Sequence, residues 1–336
     1  MRGALPRSWI DLGYNARILG QGRHQGGRAL GLQGHILRTA LLCGAIIGLA
    51  VNCAPSDLTG LQPSQALAAS SGPMVKQALP WPAATASPGS PVLTAEGVYV
   101  SSSLDPERPV PLLLALHGVG SNGPRIAERL AQCAEQNGWV LIAPTLSYRD
   151  YMDPEQVSMD DKQDLPKLLQ MLDEVQARLT DEGLRLEDDP FVYGFSRGGQ
   201  LAHRFALFYP DRVAGVASLA AGTYTLPRTE LAFPFGVADL SDYAGHAFDP
   251  QSLVGKPFWV GVGASDTLKE QVPRRWDPYL GSTRLERARR FVDALQGLGA
   301  SAQLNVFSGA GHEETALMRQ RACAFFGGLT PVHSRA

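Results

Sequence analysis

From about residue 97 onward, short apolar runs alternate with stretches whose apolar positions recur every three or four residues. Runs of the first kind read as buried strands and stretches of the second kind as amphipathic helices. Residues 97–101 predict a strand, and 110–116 predict one covered on both faces, because the run is apolar throughout apart from Pro111. A Gly-rich loop follows, His117-Gly-Val-Gly-Ser-Asn-Gly123, then helical spacing over 126–136 and an apolar run at 139–143 closed by Pro144. Leu165, Leu168, Leu169, Met171, Leu172 and Val175 define the next helix, with Asp160 and Asp161 placed in its first turn, where the helix dipole favours acids. Strands are expected again at 191–195, 213–220, 258–264 and 302–307, and helices at 200–209, 285–298 and 314–326. The stretch 223–257 has no regular period and is rich in Pro, Gly and aromatic residues. Strands that alternate with helices, each strand a nearly unbroken apolar run, predict an α/β fold with a mostly parallel sheet covered on both faces.

The first third of the chain reads differently. Residues 1–38 carry Gly and Arg without an apolar period, and residues 39–51 form an uncharged, mostly apolar run directly after Arg38. That run has the size of a signal-peptide core and is short of the roughly 20 residues that span a bilayer. Ala66 and Ala68 offer a cleavage pattern, although far from the run; Cys53 invites lipidation, against which Asn52 just before it argues. We therefore expect a basic leader at 1–69 with a signal or anchor segment at 39–51, a linker at 70–91, and one catalytic domain over 92–330. The expected localisation is export: periplasmic, secreted, or held at a membrane only through an N-terminal anchor.

Charge sharpens this division. The whole chain of 336 residues has a formal net charge of −2. Residues 1–69 contribute +4 and the remainder −6. A mildly acidic body gives no reason to expect nucleic acid as a partner. No Cys/His spacing suggests zinc, and no cofactor is expected.

The chemistry gathers at strand ends. Gly194-Phe195-Ser196-Arg197-Gly198 fits G-x-S-x-G, between a predicted strand and a predicted helix. The five-residue pattern alone also fits any Gly-rich strand-to-helix turn. Two further strands end close to Asp266 and His312, and ligands of open α/β sheets collect at such ends. A serine hydroxyl needs a base to take its proton, histidine titrates near neutrality, and a carboxylate fixes the imidazole tautomer. Ser196, Asp266 and His312 are thus the candidate catalytic residues. The backbone N–H groups of Val119 and Arg197 are candidates for the oxyanion hole.

Together the segments Leu113-Leu-Ala-Leu-His-Gly118, Gly194 to Gly199, Ala264-Ser-Asp266 and Gly309-Ala-Gly-His312 resemble the α/β-hydrolase superfamily. The nearest resemblance is to its single-domain serine esterases, including polyhydroxybutyrate-depolymerase-like and feruloyl-esterase-like enzymes. It covers about two-thirds of the chain. The resemblance implies an eight-stranded sheet, a Ser-His-Asp triad, and hydrolysis of a small-molecule or polymeric ester through an acyl-enzyme. It also implies that the helices bearing Cys133 and Cys323 pack on one face of the sheet, where the two are either a disulfide or two buried thiols.

Other readings stay open at this point. Tyr224, Phe233 and Phe235 are candidate apolar walls of a substrate pocket, or simply packing. Arg197 either meets an acidic substrate group or points into solvent. His203 and His246 read as structural or solvent-facing, and Asp239 and Asp242 as weaker substitutes for Asp266. The alternatives in function are a serine peptidase of the prolyl-oligopeptidase type and a non-catalytic binding protein on a hydrolase scaffold.

Overall fold

The computed structural model describes residues 98–101, 104 and 108–329. The leader, the apolar run at 39–51, the proposed cleavage sites, Cys43 and Cys53 lie outside the described residues. Among the described residues no helix is long and apolar enough to cross a membrane.

Seven strands form a single sheet. In chain order the elements are β1 Val98–Val100, β2 Leu112–Leu116, α1 Gly123–Asn137, β3 Val140–Ile142, α2 Pro154–Asp181, β4 Phe191–Phe195 and α3 Arg197–Phe208. They continue with β5 Gly215–Leu219, α4 Ser241–Ala244, β6 Pro257–Gly263, α5 Asp277–Leu280, α6 Arg284–Gly297, β7 Ser301–Phe307 and α7 Ala316–Leu329. The spatial order is β1-β3-β2-β4-β5-β6-β7. β1 runs antiparallel to β3, and the other pairs are parallel. The eighth strand that the resemblance implied is absent from the described residues. The seven apolar runs of the sequence account for seven strands, and no eighth run exists between residues 98 and 329 to supply another.

Alternation along each strand divides the core into two layers. Leu112, Leu114, Leu116, Val192, Val216 and Val260 face α2, α3 and α6, where they meet Leu168, Leu172, Phe205 and Phe291. Leu113, Ala115, Leu141, Tyr193, Ala217 and Trp259 face α1 and α7, where they meet Ile126, Leu130, Met318 and Phe326. Cys133 of α1 and Cys323 of α7 are joined by a disulfide, closing a sequence separation of 190 residues.

Helix α2 begins well before the apolar period that announced it, with Asp153 capping the amide of Glu155. Asp160, Asp161 and Asp164 are therefore not first-turn acids. They lie inside the helix, buried, and face α3. Asp161 binds Arg197 at 2.5 Å and also binds Arg204, both from α3. Arg149 closes on Asp160 at 2.5 Å.

Candidate active site

The centre of the site is the turn between β4 and α3. Ser196 sits there at φ 55 and ψ −114, a conformation that L-residues avoid and that costs about 1–3 kcal/mol. Its amide donates to the Leu219 carbonyl at 2.8 Å, and its carbonyl accepts from Gln200 at 3.1 Å, which fixes the apex. The flanking glycines are required by close backbone approach. A Cβ on Gly194 would lie 2.1 Å from the Gly198 oxygen, and one on Gly198 would lie 2.0 Å from the Leu116 oxygen. The strand, the turn and the neighbouring strand β2 meet with no room for a methyl group.

The loops after β6 and β7 bring two further side chains to this apex. His312 Nε2 lies 3.0 Å from Ser196 Oγ, and its Nδ1 lies 2.9 Å from Asp266 Oδ2. With Nδ1–H donating to the carboxylate, Nε2 is left to accept from the serine hydroxyl. Phe195 stacks on the imidazole, ring centroids 5.3 Å apart, and restricts its tilt. Asp266 is buried, and its second oxygen accepts from Arg284 Nη1 at 3.0 Å.

The β2–α1 loop forms the wall opposite. His117 is buried, and burial holds its pKa below the usual imidazole value, so the ring is neutral near pH 7. Its Nδ1 lies 2.8 Å from the Gly118 carbonyl, and its Nε2 accepts from the Leu146 amide at 2.9 Å. Tyr148 donates to the His117 carbonyl at 2.8 Å. His117 thus pins the loop and takes no part in the relay. Gly118 faces the apex, since a Cβ there would lie 3.2 Å from Ser196 Cβ. Val119 follows, exposed, and borders both hollows beside Ser196. The Arg197 amide opens α3 and has no carbonyl four residues back within the helix to pair with.

Two open hollows flank Ser196. One of about 310 Å³ is bounded by His117, Gly118, Arg125, Arg129 and Glu314; the other, of about 370 Å³, by Tyr151, Gln200, Gly222, Gln271 and Arg284. The proposed apolar walls line neither of them. Tyr224 is fully buried, stacked on Phe291 with centroids 4.4 Å apart. Phe233 packs on Phe208, and Phe235 on Trp276. Tyr224 and Phe233 belong to the core beneath α3 and α6, and the half-buried Phe235 packs against it, because the irregular segment folds its aromatic residues inward. The Arg197 side chain likewise points neither into solvent nor outward from the turn: it is 1% exposed and held by Asp161. His203 is buried, with Nδ1 3.0 Å from the Gly199 carbonyl, and Nε2 accepts from the Thr225 amide at 3.0 Å. Asp239 accepts from the Phe233 amide at 2.7 Å and has no part in the relay.

Sequence reasoning missed two features. Arg284 carried a usable signal: a cation at the first position of a helix opposes the dipole unless a carboxylate faces it. Gly118 to Gly123 also spells Gly-x-Gly-x-x-Gly between a strand and a helix. In dinucleotide folds such a loop is joined by an acid near the end of the next strand that binds ribose. Here β3 leads into Ala143-Pro144-Thr145, and Gly118 abuts Ser196 instead. Among the described residues no group of three or more His, Cys, Asp or Glu side chains is placed to hold a metal ion.

No family model matches the sequence, and no curated protein matches it. Solved structures do resemble the fold. Poly(aspartic acid) hydrolase-1 from Sphingomonas sp. KT-1 superposes with a TM-score of 0.55 at 22% identity, over 68% of this chain and 90% of that one. Esterase PE8 gives 0.49 at 19%, over 70% and 99%; an S-formylglutathione hydrolase from Agrobacterium tumefaciens gives 0.45 at 17%, over 69% and 87%. The chain has the α/β-hydrolase fold.

Proposed function

We propose that this chain, an α/β-hydrolase by its fold, is an exported serine hydrolase that cleaves carboxylic esters through an acyl-enzyme. One observation carries the reading: the unbroken relay Ser196 Oγ, His312 Nε2, His312 Nδ1 and Asp266 Oδ2, at 3.0 Å and 2.9 Å, on a strained apex. Strain of this kind persists only where surrounding structure enforces it, and it clusters at functional sites.

In this reading Ser196 Oγ attacks the ester carbonyl carbon while His312 Nε2 takes the hydroxyl proton. The carbonyl oxygen becomes an oxyanion that accepts from the Val119 and Arg197 amides. His312 then returns the proton to the departing alkoxide, and the alcohol leaves. Water, deprotonated by the same nitrogen, attacks the acyl-enzyme and regenerates Ser196 and the carboxylic acid. Asp266 orients the imidazole throughout and balances the imidazolium. Removing one oxyanion donor in such a site typically costs on the order of 10²–10³ in turnover.

Export is supported by the Cys133–Cys323 disulfide, since such bonds persist in oxidising compartments. The apolar run at 39–51 is the feature that would direct it. Hydrolysis of p-nitrophenyl acetate, butyrate and octanoate, beside Ser196→Ala, tests the chemistry. Turnover that disappears in the variant is the expected result. Equal rates in both proteins, with no labelling by a fluorophosphonate probe, would leave a non-catalytic scaffold; probe labelling with turnover of peptides alone would point to a peptidase.

A further inference from the structure

Of the two amides proposed to hold the oxyanion, that of Arg197 is set by the start of α3, whereas that of Val119 stands in a loop and needs aiming. Gly118 to Ser121 form a tight turn: the Ser121 amide donates to the Gly118 carbonyl at 3.2 Å, and Gly120 takes φ 75. The Val119 amide pairs with no backbone carbonyl among the described residues. A peptide group is planar and trans, so the Val119 N–H points opposite to the Gly118 C=O, and whatever grips that carbonyl aims the donor. The second grip comes from His117. Its Nε2 accepts from the Leu146 amide at 2.9 Å, so the neutral ring carries its proton on Nδ1, which donates to the Gly118 carbonyl at 2.8 Å.

His117 is in turn held by the segment after β3. Tyr148 Oη donates to the His117 carbonyl at 2.8 Å, and its ring lies against the imidazole with centroids 5.3 Å apart. Burial raises the phenol pKa, so the hydroxyl stays protonated and keeps donating. The same ring meets the other side of the hole: Arg197 Cζ lies 5.1 Å from its centroid, a cation–π contact. Asp161 fixes that guanidinium at 2.5 Å, and the neighbouring Asp160 accepts at 2.9 Å from the amide of Arg149, next along the chain from Tyr148. Tyr148 therefore touches His117, which aims the Val119 amide, and Arg197, which owns the other donor. It borders neither hollow beside Ser196, so it is not placed to meet a substrate.

We propose that Tyr148 is a positioning residue of the oxyanion hole, clamping the His117 loop to the Arg197 side chain so that the two amides keep a fixed spacing over Ser196. The proposal rests on the hydrolase reading of Ser196. Tyr148→Phe isolates the effect: it retains the ring contacts with His117 and Arg197 and deletes only the bond to the His117 carbonyl. The untethered loop lets the Val119 amide drift while both hollows keep their lining. Ground-state binding then changes little, whereas stabilisation of the oxyanion drops.

The assay measures kcat and KM for p-nitrophenyl butyrate beside the inhibition constant of 1,1,1-trifluoropentan-2-one. The carbonyl carbon of that ketone bonds to Ser196 Oγ, the hydroxyl proton passes to His312, and the carbonyl oxygen becomes the oxyanion that the amides hold. Removing an oxyanion donor outright costs on the order of 10²–10³, so a misaimed one corresponds to a loss of roughly tenfold. The expected result for Tyr148→Phe is kcat lower by about tenfold, KM within about twofold, and ketone affinity weaker by the same factor as kcat. Tm should fall by only about 1–6 °C, as for the loss of one ordinary hydrogen bond. A merely structural role would lower Tm and leave kcat and ketone affinity native, and that result overturns the proposal. So does a loss confined to KM, or a fall in kcat that ketone affinity does not share. Wild type that neither turns over the ester nor binds the ketone would instead sink the hydrolase reading of Ser196, and this proposal with it.

Discussion

Replacing both Cys133 and Cys323 by Ala should lower stability without dismantling the site. The bond closes a loop of 190 residues, most of the described domain. In the chain-entropy account such a loop restricts the unfolded ensemble by about 5 kcal/mol at 25 °C, and losing a native bridge typically costs about 2–5 kcal/mol. For a domain of this size each kcal/mol moves Tm by about 2–4 °C, so a fall of about 5–20 °C is expected. The native state should change little. The relay is fixed by β4, β6, β7 and the loops that follow them, while the bridge ties α1 to α7 and touches none of the three relay side chains. Urea unfolding of wild type with and without dithiothreitol, beside the double variant, measures this. Reduced wild type should unfold with the variant, below the oxidised protein, and esterase turnover at 25 °C should survive. Coincident midpoints for all three would refute the cross-link argument. So would alkylation of both cysteines without prior reduction.

Three other outcomes follow from particular residues. Burial, then the neighbouring Asp161, pushes Asp164 up to about 6 from 3.8. A raised carboxyl stabilises the fold below its unfolded pKa and loses that contribution as pH rises through its folded value, here between about 4 and 6, by about 3 kcal/mol. Asp164→Asn should therefore be more stable than wild type above pH 6 and indistinguishable near pH 3.5, read as urea midpoints against pH; a variant less stable at pH 8 would contradict this. Gly198→Ala puts a Cβ 2.0 Å from the Leu116 oxygen, so α3 must retreat from β2; a stability loss of about 1–3 kcal/mol and a turnover loss of about 10²-fold are expected, and near-native kinetics would disprove the steric account. His117→Ala leaves the buried Leu146 amide without its acceptor and should cost about 1–3 kcal/mol, with kcat falling more than KM changes.

Strand content and chemical order were legible because both are local. The inner strands β2 to β6 are runs that exclude water on two faces, and such runs stand out in the sequence whatever they pack against. Ser196, Asp266 and His312 each follow a strand, so their convergence follows once the strands lie parallel and their carboxyl ends share one edge. The glycines around Ser196 were equally readable, because a strand-to-helix reversal leaves no volume for a side chain.

What the chain order could not disclose is which polar groups meet. Asp160 and Asp161 read as acids in the first turn of a helix; the partners of Asp161, Arg197 and Arg204, arrive from α3, 36 and 43 residues later. That contact turns a charged stretch of α2 inward and lengthens the helix beyond its apolar period. Tyr224, Phe233 and Phe235 are apolar wherever they sit, and only the path of the irregular segment decides that the first two lie in the core and the third packs against it. Arg284 is one arginine among many until β6 and α6 bring it to Asp266. Sequence alone determined the strands, the tight turn at Ser196 and the residue types that meet there, since water exclusion and backbone sterics act over a few neighbouring residues. Tertiary structure decided the charge pairing and the shape beside Ser196, since those depend on distances between groups that the chain holds far apart.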